Sequence, residues 1–190
     1  YKHLVGRILE VYGEAGLASG DIFVCNHPYE GGLPHVSDMA FVAPVFAGSR
    51  LVAFSGSIAH KADIGGTMPG STSASATEMF HEGLLIPPIR IAEDGRDKDD
   101  VERLILANSR QPELVKGDMR AQIAATRLGA ERVAAMCARF GDATVVDAFA
   151  AILSGAAAEL KAAIARLPEG GASAEGYMDT DGIELDRPVK

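Results

Sequence analysis

Residues 38–60 read DMAFVAPVFAGSRLVAFSGSIAH, and the way this stretch pairs with itself decides the fold. Two runs rich in Val, Phe, Ala and Ile, from Met39 to Phe46 and from Arg50 to Ala59, flank the small residues AGS. Such runs around a short glycine-containing link predict a β-hairpin. Register follows from the apolar pattern, because a slip of one residue sends every side chain to the other face. With Ala47 opposite Leu51 across the loop Gly48-Ser49-Arg50, one face collects Val42, Phe46, Val52, Phe54 and Ile58. A two-residue loop would set Val42 and Phe46 against Ser55 and Leu51, a poorer match. The favoured register places Asp38 directly across from His60 at the open end, with Cβ atoms about 4.5–5.5 Å apart.

Outward from the hairpin, chemistry-bearing residues gather on both flanks. Upstream, Asn26 to Asp38 reads NHPYEGGLPHVSD, with His35 three residues before Asp38. Positions three apart on a strand point opposite ways. His35 therefore joins Asp38 only if the chain bends at Pro34 to Ser37, which Gly31, Gly32 and Pro34 make easy. Downstream, AHKADIGG repeats the spacing as His60 and Asp63. Two H-x-x-D units give neutral imidazoles and anionic oxygens at one point, a ligand set that suits zinc, manganese or iron(II). On spacing alone, Asp38 and His60 read equally well as an ordinary cross-strand pair capping the hairpin.

The rest of the chain predicts an α+β fold. An amphipathic helix opens the sequence, DIFVC is a strand, LLIPPIRIA is another, and EDGRDKDD turns into a helix that runs to Asn108. A long helix from Pro112 to Phe140, ended by Gly141, precedes a second with Phe149, Ile152, Leu153, Leu160 and Ile164 at helical spacing. Together they predict an antiparallel helical hairpin packed beside an antiparallel or mixed sheet that carries the site. The expected division is a sheet-containing site region over 1–110, a helical hairpin over 111–168 and the start of a further β segment over 169–190, with ASAEGYMDT as a strand. The first residue is Tyr rather than Met, and the chain reads as an internal piece of a longer protein.

Composition excludes several classes. The 190 residues carry a net charge of −8, with a pI near 5.1 and no basic run, which argues against nucleic acid and anionic membrane partners. No uninterrupted apolar run nears the ~18 residues of a membrane-spanning helix. Two cysteines, Cys25 and Cys137, in no recognisable motif point to a reducing cytoplasm. Cys25 reads as packing and Tyr29 as a loop anchor. Residues 64–77, IGGTMPGSTSASAT, lack the Gly-Lys-Ser/Thr ending of a nucleotide loop, and around Gly65 and Gly66 they read as an active-site lid. In TEMFHEGL, Glu82 is the candidate general base, against a plain solvated surface. Asp118, Arg120 and Gln122, early in the long helix, read as surface.

Five blocks carry a resemblance: GDIFVCNHPYEGGLPHVSD, AHKADIGGTMPGS, TEMFHEGLLIPP, LILANSRQPELVKGDMRAQIAA and RLPEGGASAEGYMDTDG, in that order from Gly20 to Gly182. The chain resembles the hydantoinase B/oxoprolinase family. The resemblance implies a metal-bearing component of an ATP-dependent cyclic-amide hydrolase, of the 5-oxoproline or N-methylhydantoin type. It would act in an oligomeric assembly with a hydantoinase A-like partner that binds ATP. An acetone or acetophenone carboxylase subunit is the alternative, and a non-catalytic assembly module a third. The implied ligands of a divalent metal are His35, Asp38 and His60, with Asp63 as a fourth ligand or as an acceptor orienting a histidine. Two positions depart from the family pattern. His27 stands where an aspartate is usual, and Lys61 where a second histidine is frequent.

Overall fold

The hairpin forms, with a step in its register. In the computed structural model, which describes residues 1–168, 170–180, 183–184 and 186–189, β2 (Asp38–Ala47) pairs antiparallel with β3 (Arg50–His60). Asp38 lies opposite His60 and Val45 opposite Ala53, the expected register. Nearer the turn the partners become Phe46 with Leu51 and Ala47 with Arg50, so the turn is the two-residue Gly48-Ser49. Val52 is the extra residue of a β-bulge, and Leu51 takes its expected place beside Phe46 and Phe54. The three-residue loop assumed one register throughout. The bulge lets a tight turn, with Gly48 at φ 62°, coexist with the apolar match at the open end.

Five strands make one antiparallel sheet, in the order β3-β2-β1-β4-β5. The others are β1 (Ile22–Cys25), β4 (Ile89–Glu93) and β5 (Arg96–Asp97). Both faces are covered. On one, Phe23, Cys25, Ala40 and Val42 pack with Leu4 and Ile8 of α1 (Lys2–Tyr12). On the other, Ile22, Val24, Met39 and Phe41 pack with Ile105 of α3 (Asp99–Ala107) and with Val115, Met119 and Ile123 of α4 (Pro112–Phe140). The two-sided cover explains why β1 is apolar throughout instead of alternating. Phe23 and Phe41, each 1% exposed or less, contribute about 1.5–3 kcal/mol apiece by burial. Gly129 lets α4 approach β3, since a Cβ there would come within 2.3 Å of the Ser55 hydroxyl.

The chain divides into two compact units, Tyr1–Val145 and Val146–Lys190. Both long helices form, α4 and α5 (Asp142–Ile164). In the second unit Ile152, Leu153, Leu160 and Ile164 are exposed. By length and composition α5 qualifies as a membrane-spanning candidate. Counting uninterrupted runs missed it, because Asp147, Glu159 and Lys161 break the run while the average stays apolar. ASAEGYMDT forms no strand; one antiparallel bridge, Met178 with Val189, is the pairing there among the described residues. Positions 169, 181, 182, 185 and 190 lie outside those residues, so the β segment expected over 169–190 is described only in part.

Candidate metal centre

The segment between β1 and β2 is built around a buried asparagine. Asn26, 0% exposed, donates from Nδ2 to the carbonyls of Val36 (2.9 Å) and Leu84 (2.8 Å) and accepts from the Ile86 amide at 2.7 Å. After it comes a single helical turn, α2 (Pro28–Gly31), capped by His27, whose Nδ1 accepts from the Glu30 amide at 3.2 Å. A short polar acceptor is the usual cap, so His27 performs locally what an aspartate would. The Val36 amide donates to Glu82 Oε2 at 3.2 Å. Val36 is thus held at both its amide and its carbonyl, and its neighbour His35 with it.

A turn then brings His35 onto the side of Asp38. The Asp38 amide donates to the His35 carbonyl at 3.3 Å, and His35 Nε2 lies 3.1 Å from Asp38 Oδ1. Strand pairing supplies the third member, with His60 Nδ1 3.4 Å from the same oxygen. The two rings stand 5.0 Å apart between centroids. One donor atom from each of His35, Asp38 and His60 falls within 4.8 Å of the others. Ligands on a first-row ion at 2.0–2.2 Å are about 3.3–3.6 Å apart along a tetrahedron's edge, so the His60 separation lies in that range and the His35 separation just below it. Two imidazoles and a carboxylate are also the donor chemistry that zinc, manganese and iron(II) accept. The cluster opens outward: the His35 and His60 side chains are 42% and 51% exposed, and Asp38 19%.

Asp63 is turned away from this cluster. It is 1% exposed. Its Oδ1 accepts from the amides of Gly65 and Arg110, both at 3.0 Å, and its Oδ2 from the Gly70 amide at 2.9 Å and Arg110 Nη1 at 3.0 Å. Burial pushes its carboxyl up, but these donors together outweigh it and hold the pKa down at about 2. The Arg110 guanidinium also donates to the carbonyls of Gly65, Gly66 and Met68. The glycine loop is therefore cross-braced. Its far side meets the 81–84 segment, where the Thr67 amide donates to the His81 carbonyl at 3.0 Å.

Lys61 points to α4. Fully buried, it donates from Nζ to the Ala59 carbonyl at 3.1 Å and to Gln122 Oε1. Burial lowers its pKa to about 8 against the opposing pull of Asp118 and Asp38. Gln122, expected at the surface, is 5% exposed and donates in turn to the Met39 carbonyl at 3.0 Å. The reason is Lys61: a buried ammonium needs acceptors, and α4 supplies one. Cys25 is buried as expected, its thiol pushed up to about 11 by burial. Tyr29, expected to anchor the loop, is 78% exposed.

Beside the cluster lies a cleft of about 330 Å³ lined by Pro28, Tyr29, His35, Thr77, Glu78 and Glu82, among others. A larger hollow, about 470 Å³, borders Pro44, Phe46 and Arg127 and contains none of the cluster. Sequence reading passed over Asn26 and Arg110 and left Gln122 at the surface. The only signal was indirect, a polar residue ending an apolar strand in the case of Asn26 and a buried partner needing satisfaction in the others.

The family model for hydantoinase B/oxoprolinase matches residues 1–190. The chain belongs to that family. It is 37% identical over 90% of its length to the B component of a putative D-/L-hydantoinase from Pseudomonas sp. (strain NS671), covering 29% of that protein. It is 29% identical over 95% of its length to the acetophenone carboxylase delta subunit of Aromatoleum aromaticum, covering 26%. Among solved structures, the ATP-dependent caprolactamase from Pseudomonas jessenii superposes with a TM-score of 0.77 at 29% identity, over 90% of this chain and 30% of that one. The chain thus spans less than a third of each of these hydantoinase B/oxoprolinase relatives. The family joins ATP-dependent cyclic-amide hydrolases and carboxylases, and its members include subunits of multi-component enzymes.

Proposed function

We propose that this chain is the metal-bearing part of an ATP-dependent cyclic-amide hydrolase, acting on a 5-oxoproline or hydantoin type of ring beside a hydantoinase A-like partner that binds and spends ATP. The observation that carries the reading is the convergence of His35, Asp38 and His60 on one point, next to a cleft of small-molecule size. A divalent ion held there would polarise a carbonyl or lower the pKa of bound water. The chain's own residues do the rest. His35 and His60 present imidazole nitrogens and Asp38 an anionic oxygen. Glu82 has one oxygen committed to the Val36 amide and offers the other, at the cleft, to take a proton. Asp63 serves by holding the loop of Gly65 and Gly66 against the 81–84 segment that carries Glu82.

Opening a resonance-stabilised amide is uphill without activation, and phosphoryl transfer in the partner supplies the driving force. No nucleotide loop is needed in this chain on that account. The free, buried thiols of Cys25 and Cys137 suit a reducing compartment, and we place the reaction in the cytoplasm. A second reading, carboxylation of a ketone, is favoured by the 95% coverage in the match to the acetophenone carboxylase delta chain.

The test is the assembled complex with its partner, assayed for ATP-dependent lactam hydrolysis and for bicarbonate-dependent carboxylation. Asp38→Ala should abolish the reaction while assembly persists. Glu82→Gln, which keeps the acceptor for Val36, should slow it by about 10²–10⁴-fold if Glu82 moves the proton. Activity that survives Asp38→Ala while assembly fails would instead mark a structural module.

A further inference from the structure

The Asp63–Arg110 pair sits outside the cluster, yet a relay of hydrogen bonds and short backbone segments leads from it to Val36, the neighbour of His35. Arg110 belongs to the link between α3 and α4, not to the glycine loop it grips. Its guanidinium spans three loop carbonyls and the Asp63 carboxylate at once, a use of the planar, multi-donor fork that lysine cannot copy. Ser71 closes the loop from within, accepting from the Ile64 amide at 2.8 Å and donating to the Gly65 carbonyl at 2.7 Å.

The braced loop in turn fixes the segment behind the cluster. The Ile64 carbonyl accepts from the Leu84 amide at 2.9 Å, and the Thr67 amide donates to the His81 carbonyl. Gly66, at φ 81°, lies so close that a Cβ would come within 2.5 Å of the His81 carbonyl oxygen. From that segment two contacts reach Val36: Glu82 accepts from its amide, and Asn26, bound to the Leu84 carbonyl, donates to its carbonyl. Val36 follows His35 directly. By contrast, His60 is placed by its pairing with Asp38 in the hairpin ladder, and none of these hydrogen bonds ends on it or on its neighbours Ala59 and Lys61.

We infer that Arg110 is a positioning residue for the cluster: by clasping the glycine loop around Asp63 it fixes the 81–84 segment, and through Val36 it sets where His35 stands. The claim separates the two histidines, because only one of them is downstream of the clasp. It rests on the proposed metal site only for its consequence in metal binding; the placement of His35 can be read without any metal.

The first experiment therefore uses metal-free protein. Histidine ring proton resonances would be recorded for wild type, Arg110→Ala, Arg110→Lys and Gly66→Ala, assigned with His35→Gln and His60→Gln, with thermal unfolding to confirm a folded state. The expected result is a shifted or broadened His35 signal in all three variants with the His60 signal in place, together with faster amide exchange over 65–71. Gly66→Ala breaks the same relay with Arg110 intact, so agreement between it and Arg110→Ala supports the relay rather than a lost charge. Titration with manganese alone should then show affinity reduced about 10- to 100-fold in Arg110→Ala, the range for groups that orient a ligand indirectly. A loop that loosens while the His35 signal stays unchanged would overturn the inference. Wild-type protein that binds no manganese, with the His35 shift present, would fault the metal proposal and leave the positioning role standing.

Discussion

His35 and Asp38 stand on a turn, whereas His60 and Asp63 stand where a strand runs out. Both pairs have the H-x-x-D spacing. In the first, the Asp38 amide closes back on the His35 carbonyl, which folds positions three apart onto one side and brings the side chains to 3.1 Å. In the second, the Lys61 amide continues the ladder to the Ser37 carbonyl at 2.8 Å, the chain bends only at Ala62, and Asp63 faces Arg110 instead. One spacing thus yields a ligand pair and a loop brace. Backbone conformation, not residue count, decides which, and the turn through Val36 and Ser37 makes the tighter bend.

The comparison can be broken at several points. The largest stability effect is expected for Asp63→Ala, which removes the carboxylate shared by the Arg110 guanidinium and three amides. A loss of about 3 kcal/mol in urea unfolding is expected, with metal still bound at saturating concentration; a loss under about 1 kcal/mol would deny the brace. Asn26→Ala strips partners from two carbonyls and one amide and should cost about 2 kcal/mol. It acts on Val36 directly, whereas Asp63→Ala acts through the loop, so its weakening of metal binding in a titration should be at least as large.

Acid should separate the pairs further. Asp63 has a folded pKa of about 2, below its ordinary value of 3.8, so its contribution is present above pH 4 and is lost as pH falls through 2. Acid unfolding curves of wild type and Asp63→Ala should converge in that window. Lys61 gives the smallest effect and the opposite end of the scale. Its folded pKa, about 8 against 10.5, means the unfolded chain holds more protons between those values, so stability rises with pH there. The expected gain is about 1 kcal/mol between pH 8 and pH 9, and Lys61→Met should flatten it.

Much of this was legible in the sequence, and for identifiable reasons. Alternation of apolar residues fixed the hairpin register at its open end, and register alone brought Asp38 to His60. The bulge at Val52 was not legible, because a turn that needs Gly48 and a strand that needs its apolar face make separate demands, and only the folded chain shows how both are met. The inward turn of Gln122 was hidden for a related reason. A glutamine on an amphipathic helix reads as solvated until its partner, Lys61, is known to be buried sixty-one positions away. Arg110 was passed over because its acceptors are backbone carbonyls, which no side-chain pattern announces.

The measurement that bears most directly on the account is metal content per chain, by elemental analysis after equilibration with manganese or zinc, for wild type, His60→Ala and Asp63→Asn. The account predicts about one ion in wild type, none in His60→Ala and retention in Asp63→Asn. An ion that stays in His60→Ala and leaves with Asp63→Asn, or no ion in folded wild type, would contradict it.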